Sequence, residues 1–133
     1  MKEDTQDSSW AKSIFAVTLF VEDLGATKRF YQNAFELPVD YEDANSAVFK
    51  FGDTLINLLA IAEAPELIAP AKVAPLQAGS RMVFTLHVDD VDAMCAALTR
   101  RGVALLNGPM DRPWGIRTAS FSDPAGHIWE IAK

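Results

Sequence analysis

The 133-residue sequence holds one cysteine, two histidines and no long apolar run, and each scarcity removes a class of protein. A lone cysteine, Cys95, makes no internal disulfide, so a reducing, cytoplasmic setting is expected. A membrane span needs about 18 consecutive apolar residues. The stretch from Thr54 to Ala64 is broken by Asn57 and Glu63, so a soluble protein with no membrane partner is expected. The opening MKEDTQDSSWAKS carries acids and hydroxyls where a signal peptide places a short apolar block, and residues 1 to 13 read as a flexible tail. Basic residues are scarce as well. Twelve Lys and Arg against 18 Asp and Glu leave a net charge of −6, the wrong sign for a nucleic-acid partner. No Gly-rich phosphate loop, catalytic-triad signature or Cys-x-x-Cys pair is present. Core material is plentiful: 50% of the residues are hydrophobic, enough to fill one compact domain at this length.

Ile14 to Val21 reads IFAVTLFV, a β-branched and aromatic run that stops at Glu22-Asp23. This is a strand entering a helix, with Asp23 placed to cap it. Leu24, Thr27, Phe30, Tyr31, Ala34 and Phe35 then recur at helical spacing up to Pro38. Three short strands follow at Val39 to Glu42, Ala47 to Phe51 and Thr54 to Leu59, separated by turn residues. Residues 60 to 80, rich in Ala and broken by Pro65, Pro70 and Pro75, read as a linker with room for a short helical turn. The same order then returns. Arg81 to Val88 is a strand, Asp89 or Asp90 a cap, and Val91, Met94, Cys95 and Leu98 the apolar stripe of a helix ended by Gly102. Val103 to Leu106, Ile116 to Phe121 and His127 to Ile131 supply three more strands.

The two halves align residue for residue. Val17-Thr18-Leu19-Phe20-Val21-Glu22-Asp23-Leu24 matches Phe84-Thr85-Leu86-His87-Val88-Asp89-Asp90-Val91 at an offset of 67, and Ile56-Asn57-Leu58 matches Trp129-Glu130-Ile131 at 73. An α+β fold of two βαβββ modules follows, module one at 14–59 and module two at 81–133, in a single domain spanning 14–133. A helix covers only one face of each four-stranded sheet, so the other face is free to be a cavity wall or an interface.

The entry Val-Thr-Leu-Phe-Val-Glu-Asp-Leu with Phe30-Tyr31, and the ending Pro113-Trp114-Gly115 followed by Phe121-Ser122-Asp123-Pro124-Ala125-Gly126-His127-Ile128-Trp129-Glu130, resemble the glyoxalase, bleomycin-resistance and extradiol-dioxygenase (vicinal oxygen chelate) superfamily. The resemblance covers nearly the whole chain after residue 13. It implies modules whose sheets curve into an open cup, commonly completed by a second chain, and hence a homodimer. It says little of the reaction, because the family holds lyases, epimerases, dioxygenases, thiol transferases and proteins that sequester drugs. Metal-using members place ligands on the first and last strand of each module, and the matching positions here are Ala16, Asn57, Val83 and Glu130.

Strand parity supports that placement independently. Phe15, Val17, Leu19 and Val21 form the greasier, helix-facing row, which leaves Ala16, Thr18 and Phe20 for the concave face. In module two Phe84, Leu86 and Val88 face the helix, and Val83, Thr85 and His87 face the cup, as do Ile128 and Glu130 of the last strand. A divalent site needs about three N or O donors from the protein. Ala16 and Val83 offer none, and His87 is displaced along its strand by about 6.5 Å, so no metal and no other cofactor is expected.

Glu130 in a partly enclosed cup needs a donor, a cation or water to answer its charge. Arg112, Arg117, protonated His87 and a cationic ligand are the candidates, with a hydrated place at the rim as the plain alternative. Trp114 resembles the family segment that lines the ligand pocket, or serves dimer packing. Phe20 and His87, equivalent by the repeat, are placed to stack on a planar ligand across the two-fold axis, although a histidine on a strand is commonly structural. Cys95 belongs to the core, and the acidic pairs before the helices read as caps.

The expected function is binding of an amphipathic or cationic small molecule, sequestered without a metal, with Phe20, Asn57, Thr85, His87, Trp114 and Glu130 as ligand-binding residues. A divergent lyase of the lactoylglutathione lyase kind, or a dioxygenase, is the alternative. A purely structural module with filled cups is a third reading.

Overall fold

The computed structural model describes residues 11–133, so most of the tail expected at 1–13 lies outside the described residues. The first half contains β1 (Ala16–Val21), α1 (Leu24–Ala34), β2 (Tyr41–Glu42), β3 (Ser46–Phe51) and β4 (Thr54–Ala60). The second half contains β5 (Val83–His87), α3 (Val91–Arg100), β6 (Leu105–Asp111), β7 (Arg117–Ser122) and β8 (Ile128–Ala132). The connecting segment carries α2 (Ala64–Ile68) between two single 3₁₀ turns, Ile61–Glu63 and Leu76–Ala78.

Each module is one four-stranded mixed sheet, ordered β1-β4-β3-β2 and β5-β8-β7-β6. The first strand of each runs parallel to the last, and the register keeps the internal repeat: Thr18 lies opposite Asn57 as Thr85 lies opposite Glu130. Both helices start as their acids dictate. Asp23 accepts the Ala26 N–H and Asp90 the Ala93 N–H, each at 3.0 Å, so the second acid of each pair is the cap.

The helix-facing rows of both sheets close on one shared core. Leu19 and Val21 are buried, Phe84 and Leu86 pack against them, and Tyr31, Phe49, Phe121 and Trp129 form its aromatic centre. Tyr31 on α1 sits edge-on to Trp129 of β8, and Phe35 packs on Phe51 and on Trp129, so the aromatic stripe of the first helix bridges the modules. At the rim of this joint the Arg101 guanidinium donates to the Ala34 carbonyl at 2.9 Å, and Asn33 donates to the Arg101 carbonyl at 2.7 Å.

Two expectations are corrected. Phe15 does not extend the buried row: β1 starts one residue later and Phe15 is 75% exposed. The first strand after α3 runs over Leu105–Asp111 rather than Val103 to Leu106, because Val103 turns into the core as a loop residue and the strand continues through Gly108-Pro109. Register shifts between Leu105 and Met110 accommodate that dipeptide, which an edge strand tolerates where a central one does not.

Candidate functional site

The faces turned away from the helices carry the expected site residues. On β5 the alternation is unbroken: Val83, Thr85 and His87 are exposed while Phe84 and Leu86 are half-buried. Ala16 is likewise exposed on β1, and Thr18 and Phe20 are half-buried beside the buried Leu19 and Val21. Parity therefore puts Ala16 and Asn57 on the outer face of one sheet, and Val83 and Glu130 on that of the other.

Glu130 is answered by its strand neighbour. The Thr85 hydroxyl donates to Glu130 Oε1 at 2.8 Å. Neither arginine serves: Arg112 donates to Thr118 Oγ1 and Asn107 Oδ1, both at 2.8 Å, and Arg117 is held by Asp92 and Asp111. Those acids, by hydrogen bonds first and by charge second, hold the Arg117 guanidinium well above its ordinary range, and the Asp92 carboxyl is held below its own. At the matching position of module one, Asn57 Nδ2 donates to Thr18 Oγ1 at 3.3 Å. Asn57 Oδ1 is buried and has no hydrogen-bond partner among the described residues.

The other expected residues are dispersed. Phe20 lines a half-open cavity of about 240 Å³ beneath the connecting segment, shared with Leu76, Arg81, Met82 and His127. Thr85 reaches a second cleft of about 320 Å³ between the edges of the sheets, walled by Val17, Phe51, Phe84 and Trp129. His87 lines neither of these two. Trp114 stands 69% exposed on the loop between β6 and β7. Cys95 is buried in α3, and burial first, with Asp92 adding to it, pushes its thiol above the ordinary range.

A buried network was missed in the sequence. Asp123, in the turn before β8, accepts the Tyr31 hydroxyl on Oδ2 at 2.6 Å and the Ala125 and His127 backbone N–H groups on Oδ1, each at 2.9 Å. Its Oδ2 also lies 2.9 Å from His127 Nδ1. Trp129 Nε1 donates to the Tyr31 oxygen at 3.1 Å. Burial, then the charge of Asp123, pushes the Tyr31 hydroxyl far above its ordinary range, so it remains a donor. The available signal was the four-residue spacing of Asp123 and His127 across a Pro-Ala-Gly turn.

For a metal, the four positions implied by the family are a poor fit. Two are hydrocarbon, and among the described residues no three His, Cys, Asp or Glu side chains come together. No helix among the described residues is long and apolar enough to cross a membrane.

Paired βαβββ modules with bare outer sheet faces define the class of α+β proteins built around cups. Within it, residues 13–131 match the model of the Glyoxalase/Bleomycin resistance protein/Dioxygenase superfamily, and the chain belongs to that family. It is 31% identical over 124 residues to the uncharacterized protein YraH of Bacillus subtilis, covering 90% of this chain and 97% of that one. Similar solved structures include a glyoxalase-related enzyme from Fulvimarina pelagi (TM-score 0.80, 23% identity, 92% of this chain and 88% of the other). Another is a lactoylglutathione lyase from Agrobacterium tumefaciens (TM-score 0.74, 22% identity, 92% and 93%). At these identities the two structures show the shared fold.

Proposed function

We propose that the chain binds an amphipathic or cationic small molecule in cups completed by a second copy, and sequesters it without a metal or other cofactor. The observation that carries this reading is the Glu130–Thr85 pair on an uncovered sheet face. Only one Glu130 oxygen takes the Thr85 hydroxyl, which leaves the rest of the carboxylate to attract a cation. The overall charge of −6 acts in the same direction. Asn57 stands at the matching place of module one, its Nδ2 donating to Thr18 Oγ1 at 3.3 Å. In this arrangement Phe20 and Trp114 supply apolar walls, Asn57 and Thr85 hydrogen bonds, His87 a flat edge and Glu130 charge. No bond is broken. The free, buried Cys95 suits the cytoplasm as the place of action.

Titration with bleomycin-type and planar cationic compounds tests the reading. Micromolar affinity for at least one compound, weakened tenfold or more by Glu130→Gln, is expected. Millimolar or weaker binding of all of them, unchanged in Glu130→Gln, overturns it. Native mass spectrometry of untagged protein reads subunit number, retained ligand and retained metal together. A stoichiometric divalent ion would favour the divergent lyase or dioxygenase instead.

A further inference from the structure

The cavity beneath the connecting segment has a built polar group in its wall. Asp123 is buried, and its carboxylate collects four contacts: the Tyr31 hydroxyl, two backbone N–H groups and the His127 ring. A carboxylate is an acceptor only, so the His127 nitrogen facing it, Nδ1, carries the proton. In the neutral ring the other nitrogen, Nε2, then presents a lone pair. It has no hydrogen-bond partner among the described residues and is not enclosed. His127 is half-buried and lines the cavity, with its Nδ1 edge turned to the buried acid.

The remaining lining is mostly hydrocarbon: Phe20, Val73, Leu76, Met82 and Ala125. Glu22 and Arg81 add one charge of each sign, so the wall favours neither a cation nor an anion. Ser80 is occupied, its hydroxyl donating to the Met82 carbonyl at 3.1 Å. A half-open space of about 240 Å³ exceeds the roughly 150 Å³ that accommodates a benzene ring in an apolar cavity.

We propose that this cavity is a second ligand site, which shares only Phe20 with the cup and excludes Glu130, and that it takes a neutral single-ring phenol, with the ring against Phe20, Leu76 and Met82 and the hydroxyl donating to His127 Nε2. Asp123 is the positioning residue: it holds the imidazole in the tautomer that accepts, much as a carboxylate behind a metal-bound histidine orients that ring. Tyr31 and the two backbone donors in turn hold Asp123. No chemistry is required of the site, and Glu130 and Thr85 are not part of its lining.

Phenol and toluene, which differ in a hydroxyl for a methyl, are the probes. Burial alone ranks toluene above phenol. Nitrogen NMR of the full chain, which has only two histidines to resolve, reads binding at the rings. Expected are saturable phenol binding in the millimolar range or tighter, at least threefold tighter than toluene, and a shift of His127 Nε2 with phenol only. His127→Phe should lose phenol at least tenfold and reverse the order of the two probes. If that variant fails to fold, the wild-type comparison of the probes decides alone. Equal or tighter toluene binding, an unmoved Nε2, or no saturable phenol binding overturns the proposal. Glu130→Gln should leave phenol affinity unchanged, which keeps this site's failure distinguishable from failure of the cup.

Discussion

The Tyr31 hydroxyl donates to Asp123 Oδ2 over 2.6 Å, tying the first helix to the turn before the last strand, 92 residues away in sequence. Both ends are buried and each has a further partner: Tyr31 accepts from Trp129, and Asp123 collects two backbone donors and His127. One hydroxyl therefore adds a buried polar tie to the aromatic packing that joins the modules. Tyr31→Phe strands the Trp129 N–H and takes one donor from a buried carboxylate, a loss of about 2–3 kcal/mol. Urea unfolding should show that drop as a lower midpoint at unchanged slope. A midpoint within error of wild type would mean that the Tyr31 hydroxyl contributes nothing to the joint.

Arg117 bridges Asp92 of α3 and Asp111 of β6 at 2.9 and 3.1 Å. The Asp92 carboxyl is held below its ordinary range, chiefly by the Arg117 hydrogen bonds. A carboxyl depressed in the folded chain contributes fully above its unfolded value, and that contribution is lost as pH falls through the lowered folded value. Asp92→Asn should therefore lower the unfolding midpoint at neutral pH and approach wild type in acid. Because the groups are exposed, the gap at neutral pH should also shrink in high salt. A gap that widens in acid would contradict the assigned partner.

Gly108 has φ +86°, and a Cβ there would stand 2.5 Å from the Thr118 carbonyl oxygen and 2.7 Å from Ala119 Cα. Backbone leaves no room to yield. Gly108→Ala should cost more than about 3 kcal/mol, from clash and left-handed strain together. Gly52 has φ +62° but open space, so Gly52→Ala should cost only about 1 kcal/mol. Thermal unfolding of the two variants side by side separates crowding from conformational strain.

Asn57 holds an oxygen with no protein partner among the described residues, which is costly in a buried place. Replacing it with Leu removes the unanswered acceptor, although Thr18 loses a donor. Asn57→Leu should leave the free protein as stable or more stable by up to about 1 kcal/mol while weakening ligand binding severalfold. Thermal unfolding with and without a bound planar cation reads both effects. A destabilised variant with unchanged affinity would assign Asn57 to the fold rather than the site.

How much of this was legible in the sequence depends on the range of the interaction. The repeat offsets of 67 and 73 make Thr18 equivalent to Thr85 and Asn57 to Glu130, and the matching registers Thr18–Asn57 and Thr85–Glu130 agree with that equivalence. The outward set Val83, Thr85 and His87 follows from strand alternation. The partner of Glu130 was not legible: charge points to Arg112, Arg117, His87 or a cationic ligand, yet the neighbouring Thr85 hydroxyl donates to it, and Arg112 and Arg117 turn to groups on their own hairpin and on α3. Asp123 read as a turn residue, which it is, and nothing local announces that Tyr31 reaches it across the molecule. The strand through Gly108-Pro109 was misplaced because both residues punctuate structure in isolation, and only pairing with β7 overrides them.

The uncovered face of β5 makes the last prediction. Val83 is 51% exposed and Met82 beside it 49% exposed at the edge of a sheet whose other face is core, and Ile14 and Phe15 lie barer still ahead of β1, at 66% and 75%. Apolar groups gathered at the free edges of two sheets leave hydrocarbon in water unless another surface covers them. If that surface is a second copy, as proposed, the contact is two-fold and each substitution acts twice. Val83→Lys places two like charges in the interface and should shift the protein from dimer to monomer in sedimentation velocity, with the fold intact by circular dichroism because Val83 faces away from the core. Trp114, 69% exposed in the single chain, should move to longer emission wavelength in the same variant if the partner covers it. A wild-type protein that sediments as a monomer at high concentration would remove the second copy from the cup and leave the ligand to the single chain.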